Sequence, residues 1–420
     1  MKRALNCVGL LLALNVPTLA AEPILTVTVT AGQHDLKNAI VAIPVSGVKA
    51  NESTRFHVND LKSRAPLVNQ YLSEGRLGLS DGKPELLVLI PELNAGAIRT
   101  LEVSIVPPPP GGLPRPQFVW SKTDNTIELQ AAGDPPRPIA KFTRFVFDPN
   151  AVPKAKILTN PTIKPYHHVF DPTGKILLTN GPDGVYPHHR GIFYGFNQIS
   201  YQGKKADVWH CRNGEHEQAG EKQILANGDL LGLHRISVDW DGQDGGAFAH
   251  EERELAFAPM SGGLLVDFRS RLKTDIAEGV KLDGDPQHAG FHFRANSAVE
   301  ANAKQTYFLR PDGKGKEGVE KNWDPKTKKG PVNLPWNAMC FVLDGKRYTV
   351  VYLDHPNNPK EARQSERTYG RIGTYFQYQL KPDKPLYVQY RLWIQPGEMT
   401  VEQCEELSRA FVEPVKKAKK

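Results

Sequence analysis

Cysteine is scarce in this chain of 420 residues, which has 4. One of them, Cys7, lies in an N-terminal stretch that reads as a leader, leaving Cys211, Cys340 and Cys404. An odd number at wide spacing excludes a disulfide framework, and no pair has the spacing of a zinc knuckle. Three buried thiols are the expectation. Net charge is scarce too. The formal value is +7, but Lys2 and Arg3 belong to the leader and Lys416, Lys417, Lys419 and Lys420 to the C-terminal end, so the body carries about +1. No basic stripe is interleaved with aromatics, which argues against nucleic acid as a partner. There is no internal repeat of fixed period. G-x-S-x-G is absent, which removes the serine-nucleophile elbow. H-E-x-x-H and H-x-H are absent, and no Gly-rich phosphate loop joins a strand to a helix.

The one strongly apolar run is at the start. Lys2 and Arg3 precede the apolar stretch Ala4–Val16, and Thr18-Leu19-Ala20 offers small residues for cleavage before Ala21 or, failing that, Glu22. This is the pattern of a secretory signal over residues 1–20. The run is shorter than the ~20 residues a membrane span needs, and Pro17 ends it. A periplasmic or extracellular destination follows, with no membrane span after cleavage.

What is abundant is turn chemistry: 36 Gly and 34 Pro. The expected fold class is all-β, with two or three domains. Residues 21–106 alternate apolar and polar in short runs such as ILTVTVT and ELLVLIPEL, which suits an accessory β-sandwich. PPPPGGLPRP at 107–116 reads as a semi-rigid linker. Strand patterns resume over 117–412. Asp344-Gly345 marks a hairpin. AHEERELAF alternates charges as a solvated strand face does. MTVEQCEELSRAFVEP is the one good helix, with Thr400 as cap and Gln403 three residues on. Residues 413–420 read as a disordered basic tail.

The densest chemistry lies at 163–214. It holds His167, His168, His188, His189 and His210, which is 5 of the chain's 13 histidines. IKPYHHVF reads as a strand, DPTGK as a turn and KILLT as the returning strand. If YPHHRGIFYGF is extended, His188 and His189 point to opposite faces, unless a bulge re-aims them.

PYHHVFDPTGKILLTNGPDGVYPHHRGIFYGF, with DVWH, GFHFR at 290–294, LDHPNNP at 353–359 and Arg-Thr-Tyr-Gly at 367–370, resembles a family of secreted bacterial proteins labelled methane oxygenase PmoA or DUF6807. The resemblance spans roughly 116–412. It implies a β-supersandwich of the galactose-mutarotase type, and it matches His188, His189, Arg190, Trp209, His210, His292, Arg294, Asp354 and His355 as site positions. Relatives carry Trp-His ahead of the Arg of the Arg-x-Tyr-Gly motif, where this chain has Gln364, Ser365 and Glu366.

The expected site therefore gathers His188, His189, His210, His292 and His355 as acid–base groups. His168, Arg190, Trp209, Arg294, Asp354, Arg367 and Tyr369 would bind substrate. Arginine forks suit a carboxylate, so an acidic sugar is a natural substrate. Tyr166, Tyr194 and Trp209 are candidates to stack on a sugar, and Asp207 or Asp354 to orient a histidine. The leading expectation is a secreted carbohydrate-active enzyme, an epimerase, lyase or hydrolase, with no assigned cofactor. A metal-dependent oxidoreductase is one alternative, since three imidazoles, or two with a carboxylate, can hold Zn²⁺, Fe²⁺ or Cu²⁺. A non-catalytic glycan-binding protein is the other.

Overall fold

The computed structural model describes residues 22–419 apart from 81, 109–110, 286 and 413–415. The leader expected at 1–20 lies outside the described residues. The described chain is almost entirely antiparallel β-structure, with small N-terminal sheets, two large sheets and one long helix, Val401–Val412.

The N-terminal part pairs a four-stranded sheet with a three-stranded one. Alternation drives it: Val27 and Val29 of one strand, Val88 and Ile90 of another, and Leu101 and Val103 of a third meet in one apolar core. The C-terminal residues Lys416–Lys419, expected to be disordered, form a strand beside Leu25–Thr30, with Thr30 opposite Lys416 and Val27 opposite Lys419. The physical reason is an open edge. Leu25–Thr30 would otherwise present unpaired backbone groups on that side, and any extended segment within reach can satisfy them.

These small sheets dock on the nine-stranded sheet. Ala42, Leu72 and Leu87 pack against Leu230, Leu231, Leu233, Ala256 and Ala258. The Gln70 amide accepts from the N–H groups of Leu230 and Leu231 and donates to the carbonyl of Leu231. Glu254 receives the Leu77 N–H and both Arg235 and Arg269. The solvated-face expectation for AHEERELAF is thus corrected at Glu251, Arg253 and Glu254. Glu251, Arg253 and Glu254 are buried, and only Glu252 of the charged residues 251–254 is half-exposed. Each buried charge has an opposite partner, Arg253 bridging Glu251 and Glu217, which is the condition for keeping an ion out of water.

The main core lies between the eight-stranded and nine-stranded sheets. Phe268 stacks on Phe291 at 4.2 Å, and Phe291 on Tyr390 at 4.8 Å. In the strand Ile192–Phe196, residues Ile192, Tyr194 and Phe196 enter this core; in Ala289–Arg294, Phe291 and Phe293 do. Alternation sends Phe193, His292 and Arg294 to the other face of the eight-stranded sheet. That outer face carries the candidate site. KILLT, expected as a strand, contributes only isolated bridges, Phe170 to Leu177 and Thr179 to Ala295. The Asp344-Gly345 hairpin forms, with Leu343 opposite Lys346 and positive φ at both turn residues, as a type I′ turn needs. The helix is capped as expected: Thr400 Oγ1 accepts from Gln403 N–H and Gln403 Oε1 from Thr400 N–H. Cys211, Cys340 and Cys404 are buried free thiols.

Candidate functional site

Three loops close over the outer face of the eight-stranded sheet. The first contains His188 and His189. It is a turn, which corrects the strand expected there. Pro187 takes the second position of a turn from Tyr186 to His189, closed by the His189 N–H on the Tyr186 carbonyl at 3.0 Å. Successive residues of such a turn need not diverge as strand neighbours do. The two imidazoles lie together, their centroids 4.0 Å apart. The Asn180 side chain holds this turn by donating to the carbonyls of Gly181, Asp183 and His189.

The second loop is Asp207–Cys211. The Asp207 carboxylate accepts from the backbone N–H groups of Trp209 and His210 and meets the His210 Nδ1 at 2.8 Å. Beneath it, the buried Lys164 ammonium donates to the Val208 and Trp209 carbonyls. The third loop precedes the strand Ala289–Arg294. There Asp285 meets the His288 Nδ1 at 2.9 Å, as Asp207 does for His210. His288 is not singled out by the sequence reading above. A signal for it exists: Asp-x-x-His occurs at 207–210 and again at 285–288.

On the sheet itself, His292 donates through Nε2 to the Ala289 carbonyl at 2.9 Å and stands edge-on to Trp209 at 4.8 Å. The Arg294 guanidinium lies over the Tyr369 ring at 4.7 Å and bonds the Tyr369 carbonyl. Tyr186 and Tyr369 pair at 4.5 Å on the half-buried rim. Arg371 bonds the Gln287 carbonyl and the Ser365 hydroxyl.

Much of this array is buried without a protein partner. Both ring nitrogens of His188 and of His189, Nδ1 of His292, and Nε and Nη2 of Arg294 have no hydrogen-bond partner among the described residues. Burial first, then the neighbouring His210 and Lys164 charges, takes the His188 imidazole down to about 2. Burial and then Arg371 hold His189 and His292 well below the usual histidine range. Burial also brings Arg294 down to about 10. At neutral pH those three imidazoles are uncharged and have lone pairs free for a proton or a cation. His188, His210 and His288 each offer a nitrogen, and these lie within 4.8 Å of one another.

The expected residues therefore separate. His188, His189, His210, His292, Trp209, Arg294 and Tyr369 come together with His288. Arg367 is half-buried and bonds Glu320. Arg190 serves the loops, donating to the carbonyls of Pro187, Leu158 and Asn160. His168 bonds Thr179 and packs edge-on to Tyr166. Asp354 and His355 end a strand of the nine-stranded sheet; Asp354 holds Asn358 and Lys360, and His355 packs on Phe411 of the helix. Of the two candidate orienting carboxylates, Asp207 bonds a histidine. Tyr194 faces the inner core, not this site.

Residues 140–409 match the model of a family of unknown function, DUF6807, and the chain belongs to that family. No curated protein matches it. Among solved structures there is a weak likeness to galactose-mutarotase-like folds. A galactose mutarotase-like protein from Clostridium acetobutylicum is 9% identical, with 67% of this chain and 99% of that one covered and a TM-score of 0.35. A putative aldose 1-epimerase from Escherichia coli K12 is 9% identical, with 67% and 99% covered and a TM-score of 0.28. A GH36 alpha-galactosidase from Geobacillus stearothermophilus is 9% identical, with 67% and 41% covered and a TM-score of 0.33, so the chain spans about two fifths of that enzyme. Likeness this slight carries no chemistry across. Among the described residues, no helix is long and apolar enough to cross a membrane.

Proposed function

We propose that the chain is an exported enzyme that performs acid–base chemistry on a sugar, in particular an acidic one, at the cluster of His188, His189, His210, His288, His292 and Arg294. The observation that carries this reading is the set of buried imidazole and guanidinium nitrogens that have no hydrogen-bond partner among the described residues. Each such group costs about 1–3 kcal/mol when left unpaired, so a fold that keeps several of them side by side is built around something else that bonds them. Neutral imidazoles accept protons, and a guanidinium with its Nε and Nη2 donors unpartnered along one edge holds a carboxylate. The Tyr186–Tyr369 pair at the rim offers a flat apolar surface of the kind a pyranose ring covers. Removal of a substrate proton by one imidazole and its return to substrate or leaving group is common to sugar epimerisation and elimination.

The test is a panel of uronate-containing and neutral glycans with mass-spectrometric detection of products. Product is expected from acidic members, with kcat reduced at least 100-fold in His189→Gln and KM raised in Arg294→Lys. No product and no binding across the panel contradicts the reading. Binding without product in the wild-type protein would make it a glycan-binding protein instead. N-terminal sequencing of the exported protein is expected to begin at Ala21 or Glu22.

A further inference from the structure

We infer that His188, His210 and His288 form a site for one first-row divalent transition-metal ion, with Asp207 and Asp285 holding two of the ligands from behind. The inference rests on the reading of this cluster as the working site and adds a cation to it.

Three observations converge. The first is spacing. One nitrogen from each imidazole lies within 4.8 Å of the other two. In a four-coordinate site with bonds of about 2.0–2.1 Å the ligand nitrogens stand about 3.4 Å apart, so each must draw in by about 0.8 Å at most. All three are carried on loops, between strands rather than within them. The second is ligand orientation. His210 and His288 each give Nδ1 to a carboxylate three residues earlier, at 2.8 Å and 2.9 Å. That leaves Nε2 of each for the centre. A carboxylate behind a ligating histidine is the usual arrangement of a metal site, because it fixes the ring and makes it a better donor. The same Asp-x-x-His pattern, at 207–210 and 285–288, supplies both ligands. The third is the third ligand itself. His188 is buried, its ring centroid is 4.7 Å from that of His210, and neither of its nitrogens has a partner among the described residues.

The donor set fixes the chemical class. Three imidazoles and no thiolate suit Zn²⁺, Fe²⁺, Co²⁺, Ni²⁺ or Cu²⁺, whereas Mg²⁺ and Ca²⁺ ask for oxygen. The side chain of His288 is 33% exposed, so the site is open on one side. Three protein ligands with an open position is the pattern of a catalytic centre, where water or a substrate oxygen completes the coordination. His189, at 4.0 Å from His188, stands outside the three and remains free to move a proton beside the ion.

The experiment uses full-length untagged protein, stripped with chelator and titrated with ZnCl₂, read by calorimetry and by elemental mass spectrometry after desalting. Uptake of one equivalent is expected. His210→Ala and His288→Ala should each weaken binding at least 100-fold, and Asp207→Asn and Asp285→Asn about 10–100-fold. His168→Ala, which alters a buried histidine away from the three, should bind as the wild type does. Circular dichroism checks that each variant is folded. Failure of the wild-type protein to bind Zn²⁺, Co²⁺, Ni²⁺, Fe²⁺ or Cu²⁺, or binding unchanged in folded His210→Ala and His288→Ala, overturns the site. Glycan turnover separates this inference from the one beneath it. Turnover by protein that takes up no metal overturns the metal site and leaves the sugar reading standing. Metal uptake with no glycan bound or turned over supports the site and overturns the sugar reading.

Discussion

Gly373 sets how closely the cluster is fitted. It lies opposite His292 in the strand register, and a Cβ there would stand 2.4 Å from the His292 ring and 2.4 Å from the Phe291 carbonyl. Only a residue without a side chain lets the imidazole lie against the neighbouring strand. Gly373→Ala is expected to lower stability by about 1–3 kcal/mol and to displace His292. Chemical denaturation and glycan turnover on the same preparation check both effects, and a variant of unchanged stability would show that the ring has room to move. Single residues also mark what the sequence could reveal. The histidines and arginines were visible as a dense group. Which of them meet was not, because that depends on loops. His288 escaped notice although its Asp-x-x-His frame repeats that of His210. His355 sits in an equally recognisable segment but packs on the C-terminal helix.

Alternation holds in the short strand His167–Val169. His167 and His168 are neighbours and do part to opposite faces. His167 enters the inter-sheet core and meets His234 at 2.8 Å, while His168 bonds Thr179. The same reasoning failed at His188 and His189 because Pro187 makes that segment a turn, and a turn obeys no two-residue period. The His167–His234 pair links the two large sheets and gives a pH prediction. Burial takes His234 down to about 3 and holds His167 well below its usual range. In the unfolded chain both titrate near 6.5. As pH falls below 6.5 the unfolded chain takes up these protons and the folded one does not, so stability declines from pH 6.5 down towards pH 3. Between pH 7 and pH 5 the loss is expected to be about 2 kcal/mol for each histidine. Urea midpoints at the two pH values measure it. The double variant His167→Leu, His234→Leu should lose correspondingly less over the same interval, and an equal loss would assign the pH dependence to other groups.

Charges that looked solvated in the sequence help join the N-terminal sheets to the nine-stranded sheet. Mixed charge on a strand usually faces water, and nothing in AHEERELAF tells that another sheet will cover it. Glu254 joins Arg235, Arg269 and the N-terminal Leu77 in the covered region. Removing one member of such a network leaves buried charge unpaired, so Glu254→Gln is expected to cost about 3–5 kcal/mol. In calorimetry the N-terminal sheets should then melt separately and earlier. A single transition at the wild-type temperature would show that apolar contact alone holds them. The all-β class, the hairpin at Asp344-Gly345 and the capped helix were legible because each follows from local pattern. The docking, the strand at Lys416–Lys419 and the closing loops were not, because each answers to a distant partner.

The central claim is that the imidazole cluster serves a ligand and not the fold. The most direct measurement is chemical denaturation of the double variant His188→Leu, His189→Leu beside the wild type, both stripped with chelator and without added sugar. Four ring nitrogens without a partner among the described residues are removed. The account predicts that the variant is as stable as the wild type or more stable, while ligand binding is lost. A loss of more than about 3 kcal/mol, of the size expected when a structural core contact is cut, would contradict it and make these histidines part of the scaffold.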